Sequence, residues 1–164
     1  MAFLLSRHAV CGDITSARLT TFEQSVGATL PTDYRQFMLD NNGGIPDHCK
    51  LMMSFHPDSD GESYFTECEC FFPIHDDEWK DTYEGRLTQP LQRVFEILRD
   101  DCPKSTDYIP IGRDPGGNLI CLAIKGPSHG AVFFYDHKNH ELYPVADSFT
   151  AFLDHLKILD NDED

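Results

Sequence analysis

The feature that most constrains this chain is a change of hydrophobic period along it. Four short apolar runs, Tyr108 to Ile111, Leu119 to Ile124, Ala131 to Tyr135 and Leu142 to Val145, follow one another closely. The spacers carry turn-forming residues, as in Asp114-Pro115-Gly116-Gly117-Asn118 and in Gly126 to Gly130. Runs of this length bounded by Gly, Pro and Asn read as strands, and turns this short return the chain antiparallel to itself, so the stretch is an antiparallel meander.

On both sides of the meander the period becomes helical. Leu19, Phe22 and Val26 recur from a start at Thr15, and Gly27 stands where a left-handed cap is wanted. A second helix is expected over Leu30 to Leu39: Pro31 opens it without losing a needed N–H, and Tyr34, Phe37 and Met38 form its apolar face. Asn42-Gly43-Gly44 stops it, and a C-cap needing positive φ explains these residues better than a functional loop does. Leu91, Val94, Phe95 and Leu98 place a third helix over Pro90 to Arg99, ended by Cys102-Pro103. The last helix starts at Asp147 or Ser148 and carries Phe149, Phe152, Leu153 and Leu156 on one stripe.

Between the second and third helices, Lys50 to Phe72 turns to period two. Cys68, Cys70 and Phe72 alternate with Glu67, Glu69 and Phe71, which predicts a strand over Tyr64 to Phe72 with one wet face, preceded by a turn-rich loop from His56 to Ser63. The expected architecture is α+β: a largely antiparallel central sheet with helices packed around it, one sheet face covered and the other left available. With 164 residues, 40% of them hydrophobic, residues 1–160 are expected to form one domain, followed by a disordered acidic tail over 161–164.

Several classes are disfavoured. A membrane span needs roughly 20 consecutive apolar residues, and the leading Met1 to Leu5 is broken at once by Ser6, Arg7 and His8, so neither a span nor a signal peptide is expected. Cys11, Cys49, Cys68, Cys70, Cys102 and Cys121 are therefore expected to be reduced thiols in a cytoplasmic protein. A net charge of −15, from 28 acidic and 13 basic side chains, opposes binding to nucleic acid or to anionic lipid. A partner chosen by charge is basic; the plain alternative is that the charge only keeps the protein soluble.

Three separated segments carry a family resemblance. The first is Val26-Gly27, then Leu30-Pro31-Thr32-Asp33-Tyr34-Arg35-Gln36-Phe37 and Asn42-Gly43-Gly44. The second runs from Ile109-Pro110-Ile111-Gly112-Arg113-Asp114 to Gly117-Asn118-Leu119-Ile120-Cys121-Leu122. The third is Gly130 to His137, then Val145-Ala146-Asp147-Ser148-Phe149 and Phe152-Leu153. In order and spacing the chain resembles the SUKH superfamily, whose members include a domain of a fungal cell-wall assembly regulator. The resemblance implies a small α+β fold used mainly as a bacterial immunity protein against toxins, without catalysis. The segment from about Cys49 to Leu87 departs from the pattern, and there an immunity protein is expected to encode its particular toxin.

Other constellations weigh less. His48-Cys49, Cys68-Glu69-Cys70 and His75 contain zinc-type ligands, but not the paired knuckles of structural zinc sites, and two cysteines two apart suit a core equally well. Asp58, Asp60, Gly61 and Glu62 lack the rest of a calcium loop. The 114–118 turn lacks the Lys-Ser/Thr of a phosphate loop. His137 and His140 with Asp136 could serve as acid–base groups and Cys121 as a nucleophile, but Cys121 sits in an apolar run where thiols are usually inert. No catalytic residue, metal or cofactor is assigned, and the chain is not expected to be an enzyme.

The acidic and aromatic mixture is different, because rings supply buried anchors and carboxylates steer a cationic partner. Asp58, Asp60, Glu62, Tyr64, Glu67, Glu69, Asp76, Asp77, Glu78 and Trp79 are the candidate partner-binding residues. Trp79 as a core residue flanked by a solvated loop is the competing reading. The expected function is binding and occluding a cognate basic toxin domain, such as a nuclease; the alternative is a regulatory or scaffold module with an endogenous protein partner.

Overall fold

The computed structural model describes residues 5–7, 11–46, 50–55, 63–78, 85, 87–101 and 105–159. Strand β1 (Leu5–Arg7) pairs antiparallel with β2 (Ile45–Pro46), and between them lie α1 (Ser16–Val26) and α2 (Thr32–Asn41). Thr15 caps α1 by accepting the Arg18 N–H on its hydroxyl at 3.1 Å, and Gly27, at φ 69°, closes it with its own N–H on the Glu23 carbonyl.

Asn42 caps α2 in the left-handed region at φ 46° and does more than end a helix. Its Nδ2 donates to the carbonyls of Gly12 at 2.9 Å and Ile74 at 3.1 Å, while its Oδ1 accepts from the Ile74 N–H at 3.0 Å. The buried amide therefore ties α2 to two distant backbone segments, and its hydrogen bonds compensate its desolvation.

The remaining elements are β3 (Lys50–Phe55), β4 (Tyr64–Glu67), β5 (Cys70–Phe71), α3 (Leu91–Asp101), β6 (Tyr108–Arg113), β7 (Leu119–Ala123), β8 (Val132–Asp136), β9 (Glu141–Ala146), α4 (Phe149–His155) and β10 (Lys157–Leu159). The expected four-stranded meander is present as β6 to β9, and β5 extends it into an antiparallel five-stranded sheet in the order β5-β6-β7-β8-β9. A second antiparallel sheet has the order β10-β3-β4. Ser148 proves to be the cap of α4, accepting from the Ala151 N–H at 3.0 Å.

The strand expected over Tyr64 to Phe72 is corrected to two. The chain leaves the small sheet after Glu67 and joins the large one: Glu69 N–H donates to the Arg113 carbonyl at 2.8 Å and Phe72 N–H to the Ile111 carbonyl at 2.9 Å. The wet face also fails at Phe71, which is fully buried. Its backbone bridges Gly44 and its ring meets Phe37 at 5.1 Å and Phe149 at 6.2 Å, so that it is covered from the side the alternation assigned to water.

Helices α1, α2 and α4 with the start of α3 supply Leu19, Phe22, Tyr34, Phe37, Met38, Leu91, Phe149 and Phe152 to the main core. Ile120, Leu122, Val132 and Phe134 of the large sheet face them. The other sheet face, expected to be available, is partly covered: Cys121 and Tyr135 are buried there with Leu98 of α3, beside Tyr108 and Leu142. Phe55 of β3 stacks on Phe134 at 4.3 Å, laying the small sheet against β8 and β9. The expected tail over 161–164 lies outside the described residues.

Candidate functional site

Of the candidate partner-binding residues, Asp58, Asp60, Glu62 and Trp79 lie outside the described residues. The others divide between two places. Tyr64 is 47% exposed on β4 and stacks on Phe55 at 5.9 Å, and its neighbour Phe65, which the sequence analysis passed over, is 62% exposed. Glu67 on the same strand is half-buried. Glu69 is engaged internally, its carboxylate meeting the Arg113 guanidinium at 3.0 Å with both side chains mostly covered.

Beside that pair, Thr66 and the 114–118 turn are joined by one carboxylate. Asp114 is buried and accepts from the Thr66 hydroxyl at 2.9 Å, the Asn118 N–H at 2.8 Å and Asn118 Nδ2 at 3.1 Å. The turn is thus a hairpin connection closed on its own aspartate.

The second place is the acidic segment after Ile74. Asp76 and Asp77 have side chains 78% and 79% exposed, and Glu78 is exposed as well. Arg18 of α1 holds Asp76 through Nη2 at 3.1 Å and Nε at 3.4 Å. The pair is exposed, and such pairs contribute about 0–1 kcal/mol, so it positions the segment more than it stabilises the fold.

The inner side of the segment is braced against α3. His75, its side chain only 7% exposed, places Nε2 2.8 Å from the Thr88 carbonyl. Gln92 Nε2 donates to the His75 carbonyl at 2.7 Å, and Leu91 N–H to the Pro73 carbonyl at 2.8 Å. The result is a shallow depression in which Asp76, Asp77 and Glu96 stand with His75, Gln92 and Arg93. Gln92 and Glu96, one turn apart on α3, were not singled out from the sequence, and His75 was considered there only as a zinc-type ligand.

Cys68 and Cys70 are buried, and desolvation first, then neighbouring groups including Glu69, pushes both thiols well above their ordinary range. A thiol held protonated is the reverse of what a nucleophile requires. Cys49 and His48 lie outside the described residues, and among the described residues no group of three or more His, Cys, Asp or Glu could hold a metal. His137 Nδ1 meets Asn118 Oδ1 at 2.7 Å, His140 Nδ1 meets the Tyr135 hydroxyl at 2.8 Å, and Cys121 is fully buried. No helix of the described residues is long and apolar enough to cross a membrane.

The fold agrees with comparison to known proteins. The model of the SMI1/KNR4 family (SUKH-1) matches residues 13–155. The chain belongs to the SMI1/KNR4 family. The match begins just before the Thr15 cap and ends with α4, and it contains all three segments that carry the SUKH resemblance. This SUKH-1 protein is also similar to the SPbeta prophage-derived uncharacterized protein YokK of Bacillus subtilis (strain 168), with 26% identity over 156 residues, covering 85% of this chain and 72% of YokK. SUKH proteins are generally immunity proteins, and members of the family bind partner proteins.

Proposed function

We propose that this SUKH-1 protein is a cytoplasmic immunity protein that binds and neutralises a cognate basic toxin domain by occlusion, without performing chemistry. The observation that carries the reading is the segment Asp76-Asp77-Glu78: it holds its carboxylates out to solvent while His75, Gln92 and Arg18 brace it from behind. Carboxylates on a braced surface lose little freedom on binding, and a net charge of −15 steers a cationic partner toward them. Tyr64, with the exposed Phe65 beside it, supplies aromatic area of the kind that anchors an interface. Asp58, Asp60, Glu62 and Trp79 are assigned to the same function by their sequence context.

The test begins with affinity capture from a lysate of the source cell at low and physiological salt. A basic toxin-domain protein whose activity is lost on binding is expected, with association slowed roughly tenfold or more when Asp76, Asp77 and Glu78 are all changed to Lys. Stability of the triple variant should change little, since each side chain is exposed. Capture of an endogenous regulator that is not a toxin would favour the scaffold reading, and an unchanged association rate would remove the acidic segment from the interface.

A further inference from the structure

The depression between residues 75–78 and the start of α3 has acceptors at its floor. His75 Nε2 faces the Thr88 carbonyl at 2.8 Å; a carbonyl only accepts, so Nε2 carries a proton, and in the neutral imidazole Nδ1 is then an acceptor. Gln92 uses its Nε2 to donate to the His75 carbonyl, which turns its Oε1 away as an acceptor. Both Nδ1 and Oε1 are buried, and neither meets a donor among the described residues. The His75 side chain is 7% exposed and lines the depression.

The groups around these acceptors are mostly anionic. Asp77 Oδ2 lies 4.0 Å from His75 Nδ1, and Asp76 and Glu96 line the same depression. Among the described residues the facing cations are Arg93, also in the lining, and Arg18, which is paired with Asp76. Unfilled acceptors cost free energy when buried, and a ligand that donates several hydrogen bonds while carrying positive charge answers both the acceptors and the carboxylates. A water molecule answers only the acceptors. A metal ion does not suit the site, since no group of three or more ligating side chains exists among the described residues.

We propose that this depression receives a basic side chain, a lysine ammonium or an arginine guanidinium, presented by the protein partner. Its N–H groups donate to His75 Nδ1 and Gln92 Oε1 while Asp77, Asp76 and Glu96 neutralise its charge. The inference rests on the reading of the protein as a binder of a basic partner and names where one basic residue of that partner enters.

The experiment titrates the full chain, labelled with ¹⁵N, with butylammonium, propylguanidinium and tetramethylammonium chlorides. The first two mimic lysine and arginine; the third carries the charge but has no N–H donor. Saturable shifts are expected at the His75 imidazole nitrogens and the Gln92 side-chain amide with one or both donor cations, and affinity about tenfold lower for tetramethylammonium. Gln92→Met and Asp77→Asn, each checked for an unchanged urea midpoint, should weaken donor-cation binding several-fold; Asp77 is exposed, so its variant keeps the test alive if Gln92→Met unfolds. Non-saturating shifts of equal size for all three salts, unaffected by Asp77→Asn, would overturn the proposal. The two readings fail separately: toxin capture and charge-reversal effects without donor-cation binding remove the depression alone, whereas donor-cation binding without a toxin partner leaves the site standing and removes the immunity function.

Discussion

Gly43 is where the backbone geometry makes its sharpest demand, and Gly43→Ala tests it. At φ 77° an L-residue is strained, and a Cβ there would lie 2.7 Å from the Phe71 carbonyl oxygen, 2.7 Å from the Pro73 nitrogen and 2.8 Å from the Phe72 carbonyl carbon. All three are backbone atoms, so no rotamer change relieves the overlap. Left-handed strain is about 1–2 kcal/mol and overpacking about 1–3 kcal/mol, which sum to roughly 2–5 kcal/mol. For a chain of this size a loss of about 3 kcal/mol lowers Tm by about 6–12 °C. Two other glycines separate the contributions. Gly126 has φ 78° with nothing within 4 Å of its Cβ position, so Gly126→Ala carries strain alone, about 1–2 kcal/mol. Gly112 has no positive φ, but its Cβ would meet the Cys70 carbonyl oxygen at 2.6 Å, so Gly112→Ala carries overlap alone, about 1–3 kcal/mol. Urea unfolding followed by circular dichroism, with an unchanged m-value, measures all three. If Gly43→Ala destabilises no more than Gly126→Ala, the close approach of the α2 cap to residues 71–73 is refuted.

Two further outcomes follow from buried polar groups. Asn42→Ala removes three hydrogen bonds and leaves the backbone groups of Gly12 and Ile74 without their partner; a loss of about 3 kcal/mol is expected by chemical denaturation, and one below about 1 kcal/mol would mean that water replaces the amide. Burial raises the pKa of Cys68 and Cys70 above the ordinary 9.0, so above pH 9 the unfolded chain releases protons that the folded chain keeps. Stability conferred by these thiols is therefore fully present below pH 9 and falls as pH rises, by about 1.4 kcal/mol per thiol and pH unit, or roughly 3 kcal/mol by pH 10 for the two. Urea midpoints at pH 8 and 10 for the wild type and Cys70→Ala check this, and an equal alkaline loss in both would exclude Cys70 from the effect.

Much of the fold was legible locally. Thr15, Gly27, Asn42 and Ser148 mark helix ends through short-range chemistry, and the meander strands announce themselves by apolar runs between turn residues. The short strands β1, β2 and β10 gave no comparable signal, because two or three residues cannot display a period. Phe71 was misassigned because alternation identifies a wet face only when nothing packs on it, and Gly44, Phe37 and Phe149 do. At the candidate site the residue types were legible, but Glu69 was counted as a surface acid and is instead joined to Arg113, while His75 and Gln92 meet through backbone carbonyls that leave no trace in side-chain pattern.

The amino-acid sequence by itself determined the α+β class, the helix boundaries to within a few residues, the net charge of −15 and the resemblance to the family, since each depends on neighbours along the chain or on a simple sum. Only the tertiary structure decided which carboxylates are already engaged and which face solvent. Arg18 reaches Asp76 across 58 positions and Thr66 reaches Asp114 across 48, and pairings at such separations are set by how the helices and sheets pack.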